Sequence, residues 1–207
     1  MVRELLPRNG RVLDLGCGRG GLVEQLDIPL DQIVGLDPDW LSLVEHRLDL
    51  PRTAGFSHAL PFATESFDLI FCSWLLEHLG TPQIDFAEIA RVLRPDGVLV
   101  FITPNGWHPL ALVNGGLGRF ARLQGVLVRW VYGREEEDTF PTCYLANTER
   151  QIGRLAELNL LQIDQLHFVE DPSYLAFNQL LFRVMCWLNS RVLPHRMRVH
   201  LVGVLRK

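Results

Sequence analysis

The chain has 207 residues, 48% of them apolar and 21% charged, which suits one folded domain over 1–207 and excludes global disorder. Its formal net charge is −4, with 15 acids against 8 bases in residues 1–103 and 9 against 12 in the remainder. That balance argues against a nucleic-acid partner.

No uninterrupted apolar run is long enough to span a bilayer. The opening Met1-Val2-Arg3-Glu4-Leu5-Leu6-Pro7 has no apolar signal core, so a cytoplasmic protein is expected. The four cysteines, Cys17, Cys72, Cys143 and Cys186, are scattered. Free thiols are expected rather than disulfides, and no metal site.

Val12-Leu13-Asp14-Leu15 reads as an interior parallel strand. It runs into Gly16-Cys17-Gly18-Arg19-Gly20-Gly21, where missing Cβ atoms permit positive φ and let a ligand lie against backbone. A helix starting near Gly20 would aim free N–H groups at that ligand. A second strand, Gln32 to Asp37, ends on an acid. Asp39 is placed to cap a helix from Trp40 to Leu48, with Leu41, Val44 and Leu48 on its apolar face. A weak strand near Ala54 to His58 leads into Leu60-Pro61-Phe62, and Phe67 to Ser73 is a strong strand. Pro82 to Leu93 is a helix with Thr81 at its N-cap. Arg94-Pro95-Asp96-Gly97 is a turn before the strand Val98 to Thr103.

From Pro104 the alternation stops, and about 104–147 reads as an insertion or lid over the site, rich in glycine and aromatic residues. Glu135-Glu136-Glu137-Asp138 within it reads as a solvated loop. Asn147 or Thr148 caps a helix to Leu158, Leu160 to Val169 is a strand, and Ser173 to Ser190 is a helix with a wide apolar face. Met197 to Leu205 is a last strand, antiparallel to Leu160–Val169.

Strands alternating with helices imply an α/β, doubly wound, mostly parallel sheet. Ligands in such sheets bind beyond the carboxyl ends of the strands, near the point where strand order reverses. Gly16-x-Gly18-x-x-Gly21, with Asp37 at a distance suited to ribose hydroxyls, matches a dinucleotide fingerprint. Asp14 argues against that ligand, because its carboxylate would lie near a pyrophosphate. It suits a ligand with an ammonium group and a cationic sulfur.

Several runs together resemble the class I S-adenosylmethionine-dependent methyltransferases, in their small-molecule branch. They are Val12–Gly20, Val34–Pro38, Ala59–Phe62, Ser66–Asp68, Leu76–His78 and Arg91–Gly97, which cover about residues 10–105. The resemblance implies a Rossmann-like, seven-stranded sheet with an antiparallel last strand, and S-adenosyl-L-methionine as cofactor. Carried onto these positions, Asp14 and the backbone of Gly16, Cys17, Gly18 and Gly20 would hold the methionine part. Asp37 would accept both ribose hydroxyls and Pro38 would pack on adenine, while Ser73 and Trp74 would line the pocket. The family often has an acid four residues before the Leu-Pro-Phe run. Here that position is Phe56, followed by Ser57 and His58, so either backbone groups take over adenine recognition or affinity is reduced.

The reaction is displacement at a sulfonium methyl, so alignment matters most. An oxygen or carbon nucleophile can also need a general base. His78, just beyond the fourth strand, is the first candidate and His108 the second. The expected acceptor is a small molecule, methylated at O or C, with a lipid-like or isoprenoid acceptor as an extension. The wide face of 173–190 would offer a peripheral membrane contact, or a packing face on the core or in a homodimer. Two other readings stand beside this one: a methyltransferase-like protein that binds S-adenosylmethionine without turnover, and an NAD(P)-dependent oxidoreductase.

Overall fold

The computed structural model describes residues 2–5, 9–26, 28–109, 111, 141–171, 182–183, 186–187, 191 and 194–207. Among them, seven strands form one sheet: β1 (Val12–Leu15), β2 (Ile33–Asp37), β3 (Arg52–Ala54), β4 (Phe67–Ser73), β5 (Leu93–Pro104), β6 (Gln162–Val169) and β7 (His200–Arg206). The helices are α1 (Val2–Leu5), α2 (Trp40–Val44), α3 (Pro82–Val92) and α4 (Glu149–Leu158).

Strand order is β3-β2-β1-β4-β5-β7-β6. The first five strands pair in parallel, and β7 runs antiparallel to both β5 and β6. The doubly wound sheet and its antiparallel final strand are therefore as the sequence implied. Strand order reverses between β1 and β4, so the crevice for a ligand opens beyond Leu15 and Ser73.

The pleat divides the core. Leu99 and Phe101 of β5 join Phe67, Phe86, Ile89 and Ile152 on the face covered by α3 and α4. Val98 and Val100 join Val12, Ile33, Leu69 and Val204 on the other. All four residues of β1 are buried, the price of a central position being that Asp14 is buried with them.

Four expectations need correction. The chain after the glycine turn makes one 3-10 turn, Leu22–Gln25, and not a helix from Gly20. The helix capped by Asp39 stops at Val44, well short of Leu48. Its buried residues are Ser42 and Leu43, while Leu41 and Val44 are exposed. The cause is local: Leu48 N–H donates to His46 Nδ1, a turn that competes with further helix. The weak strand near Ala54–His58 is the shorter β3. Finally, Arg94–Gly97 does not separate a helix from a strand but bulges within β5: Leu93 pairs with Phe67, and Val98 is the next partner, on Leu69. Asp96 reaches φ 64° there.

Thr148, rather than Asn147, caps α4, its hydroxyl accepting from Gln151 N–H at 3.2 Å. Most of the segment expected to cover the site lies outside the described residues, including Glu135–Asp138, as does most of 173–190. Among the described residues no helix is long and apolar enough to cross a membrane.

A Cβ at Gly203 of β7 would collide with the ring of Phe101 and stand 3.1 Å from Leu166 Cδ1. Gly203→Ala should therefore cost about 1–3 kcal/mol, measured by urea unfolding, and an unchanged midpoint would show that the Phe101 ring can move aside.

Candidate active site

The carboxyl ends of β1, β2 and β4 converge on the glycine turn. Gly16, Gly18 and Gly20 take φ of 77°, 50° and 100°, a region that L side chains rarely enter. At Gly16 the turn also runs close to its neighbour, since a Cβ there would stand 3.1 Å from Leu75 Cδ1. Gly16 and Cys17 N–H both donate to Leu36 C=O, at 2.8 and 3.1 Å, which ties the turn to β2. Gly18 N–H donates to Asp37 Oδ2 at 2.9 Å, and Asp39 N–H donates to Oδ1 at 2.9 Å. The Asp37 carboxylate is thus fixed, with further lone pairs for two hydroxyl groups.

Two adjoining cavities flank the turn. One of about 550 Å³ is lined by Asp37, Pro38, Phe56, Ser57, His58 and His78, among others. The second, of about 430 Å³, is lined by Asp14, Cys17, Gly20, Arg47 and Ser73, among others. Gly16, Gly18 and Trp74 belong to both. Trp74 adopts φ 58°, so the first residue after β4 is itself held in a strained conformation.

Asp14 is 3% exposed. Burial, reinforced by the charge of Asp37, pushes its carboxyl up to about 7. Among the described residues no hydrogen-bond donor reaches it. A buried carboxylate at the wall of a cavity, with no internal partner, fits a cationic ligand group and repels a pyrophosphate. The residues present therefore fit S-adenosylmethionine, which Asp14 would meet at its ammonium end and Asp37 at its ribose. The Cys17 Sγ faces β2 close to Gly35, and burial followed by the charges of Asp14 and Asp37 raises the thiol to about 12.

His78 lies at the cavity edge, its Nδ1 3.1 Å from the carbonyl oxygen of Pro141. A carbonyl only accepts, so Nδ1 carries the proton and Nε2 is the ring's basic nitrogen. The preceding residue, Glu77, anchors this corner. Thr103 Oγ1 donates to Glu77 Oε2 at 2.9 Å, and Asn147 Nδ2 donates to Thr103 Oγ1 at 2.7 Å. Cys143 and Tyr144 N–H both donate to Glu77 C=O. Burial raises the Glu77 carboxyl.

The structure does not bring His108 to this site. It is 2% exposed and lines neither cavity; burial, then the neighbouring His200, lowers its pKa. Asn105, just past β5, also turns inward, donating to the carbonyls of Arg196 and Arg198 at 2.9 and 2.8 Å. Asp85 was missed in the sequence. It is buried on α3, lines the larger cavity and accepts from Ser57 Oγ at 2.6 Å. The available signal was an acid at a core position in the buried series Pro82, Asp85, Phe86, Ile89 and Val92.

Residues 13–101 match the family model described as "Methyltransferase domain". A malonyl-[acyl-carrier protein] O-methyltransferase of Legionella pneumophila is 33% identical over 108 residues, which are 48% of this chain and 37% of that protein. A ubiquinone biosynthesis O-methyltransferase of Photobacterium profundum is 32% identical over 103 residues, covering 46% of this chain and 44% of that one. The chain thus spans less than half the length of these two relatives. The crystal structure of an S-adenosylmethionine-dependent methyltransferase from Mesorhizobium loti shares the fold with a TM-score of 0.64 at 17% identity, covering 100% of this chain and 95% of that one.

The folded pKa of Asp14 lies above its ordinary 3.8, so ionising it opposes folding, and its contribution to stability declines as pH rises from there to about 7. Asp14→Asn should therefore stabilise the ligand-free protein above pH 7 by roughly 1–3 kcal/mol. It should also weaken S-adenosylhomocysteine binding by about 10- to 100-fold. Thermal unfolding and titration calorimetry check the two effects; undiminished affinity would remove Asp14 from the site.

Proposed function

We propose that this class I S-adenosylmethionine-dependent methyltransferase domain transfers a methyl group to an oxygen or carbon of a small-molecule acceptor with an apolar body. The observation that carries the reading is the pairing of Asp14 and Asp37 across one glycine turn. One carboxylate is kept without an internal partner for a cation. The other is fixed by two backbone N–H groups and positioned for a ribose.

S-adenosylmethionine, when bound, supplies a methyl group on a positively charged sulfur. Asp14 would orient the ammonium end, and the side chains absent at Gly16 and Gly18 would let backbone approach closely. Pro38, Leu36 and Leu75 provide apolar cavity walls. His78 is our general base: its Nε2 would take the acceptor's proton while the Pro141 carbonyl keeps Nδ1 protonated. The two relatives are both named O-methyltransferases, which favours oxygen as the acceptor atom. An isoprenoid or other lipid-like acceptor is an extension of this reading, supported by the ubiquinone-biosynthesis name of one relative.

The reading is tested by incubating the protein with S-adenosylmethionine and a panel of phenols, catechols and carboxylic acids, and following release of S-adenosylhomocysteine. Turnover with at least one class is expected. With that acceptor, His78→Gln should lower kcat by about 10²- to 10⁴-fold and leave S-adenosylhomocysteine affinity unchanged. Tight cofactor binding with no turnover on any class would favour the binding-only reading. Binding of NADH in place of S-adenosylmethionine would favour the oxidoreductase.

A further inference from the structure

Asp85 occupies a position that its helix otherwise gives to apolar side chains. It shares the buried face of α3 with Phe86, Ile89 and Val92 and is 2% exposed, yet it lines the larger cavity. Two hydroxyl groups hold it. Ser57 Oγ donates to Oδ1 at 2.6 Å, and Thr81 Oγ1 reaches Oδ2 at 3.4 Å. A carboxylate has roughly four acceptor sites, so both oxygens keep capacity for a further donor. Burial raises the Asp85 carboxyl, while Ser57, His58 and Thr81 act to keep it ionised.

Among the described residues, Asp37 and Asp85 are the carboxylates of this cavity. Asp37 stands at the glycine turn. Asp85 stands with Ser57 and Thr81 on the α3 wall, and Leu36, Pro38, Phe56 and Leu79 are among the apolar lining. A ribose held at Asp37 would direct its base toward this apolar lining. The edge of adenine then needs an acceptor for its exocyclic N–H. The Phe56 side chain has none.

We propose that Asp85, oriented by Ser57, accepts the exocyclic amino group of the cofactor's adenine and so determines its base specificity. This rests on the S-adenosylmethionine reading above. The loop that carries Ser57 is built to hold the pair in register. Arg91 on α3 donates to the carbonyls of Phe62 and Leu60, at 2.8 and 3.0 Å, and Leu60 N–H donates to Glu88 Oε2 at 2.9 Å. The loop and α3 are thereby clamped at three points beyond the Ser57–Asp85 bond.

The test compares S-adenosylhomocysteine with S-inosylhomocysteine, in which a carbonyl replaces the amino group, by titration calorimetry. The parent protein should prefer the adenine ligand by about 10- to 100-fold, because the carbonyl would face a carboxylate. Asp85→Asn should shrink or reverse that ratio, since an amide can donate to the carbonyl. Ser57→Ala, which leaves the carboxylate in place but removes its donor, should lower the ratio by a smaller factor. Thermal unfolding establishes that each variant is folded. An unchanged ratio in both variants, with S-adenosylhomocysteine still bound, overturns the assignment of Asp85. Equal weakening of both ligands also overturns it and leaves Asp85 a structural group. No binding of S-adenosylhomocysteine by the parent protein would instead overturn the cofactor reading, and this inference with it.

Discussion

A carboxylate in the central strand of a parallel sheet is the constraint on which the site depends. Asp14 sits in β1 between β2 and β4, where burial opposes its ionisation and the charge of Asp37 opposes it further. A protein that only needed a strand there would place an apolar residue. Keeping an acid makes the empty site electrostatically unfavourable, and a bound cation relieves that cost. The glycine turn acquires its meaning from this neighbour. Alone it could cradle a phosphate; beside Asp14 it favours a cationic ligand.

Around that centre, several polar motif residues are clamps and not contacts. Asp68 accepts from Arg11 N–H and from Arg94 Nη1, both at 2.7 Å, which holds the start of β4 to the edge of β1 and the bulge of β5. Arg91 and Glu88 hold the loop bearing Ser57 against α3. Glu77 joins the end of β4 to Thr103 and, through it, to Asn147. These bonds are made between segments far apart in the chain: those of Asp68 tie the amino edge of the parallel strands, and those of Glu77 hold a loop at the carboxyl edge, where the cavities lie. The polar residues of the first hundred positions therefore divide between a few that reach the cavities and several that hold those few in place.

Much of this was legible in the residues. The alternation of apolar runs with Gly16–Gly21 and with the helix begun at Pro82 specifies the sheet, because strand and helix periodicities differ so strongly. Asp37 could be placed because a strand-ending acid after a glycine turn has few other uses. What was not legible depended on long-range contacts. Leu41 and Val44 looked like an inward stripe, but the Asp39 cap and the His46 turn leave only five helical residues, with Ser42 and Leu43 inward. His108 looked accessible because it follows a strand end, yet its burial beside His200 arises from chain 92 residues later. Asp85 shows the reverse: its spacing marks it as a core residue, and only the Ser57 loop, brought in from elsewhere, makes it polar wall. Adjacent sequence carries local geometry, whereas the identity of a cavity wall is set by which loops meet.

The most direct test of the account is the proton balance of cofactor binding. An Asp14 carboxyl raised to about 7 is about nine-tenths protonated at pH 6 in the ligand-free protein and must ionise to hold an ammonium group. Calorimetry of S-adenosylhomocysteine binding at pH 6, in buffers of different ionisation enthalpy, should show release of close to one proton (about 0.9), and Asp14→Asn should abolish that release. No release in the parent protein, or the same release in the variant, would contradict the claim that this buried carboxylate waits for a cation.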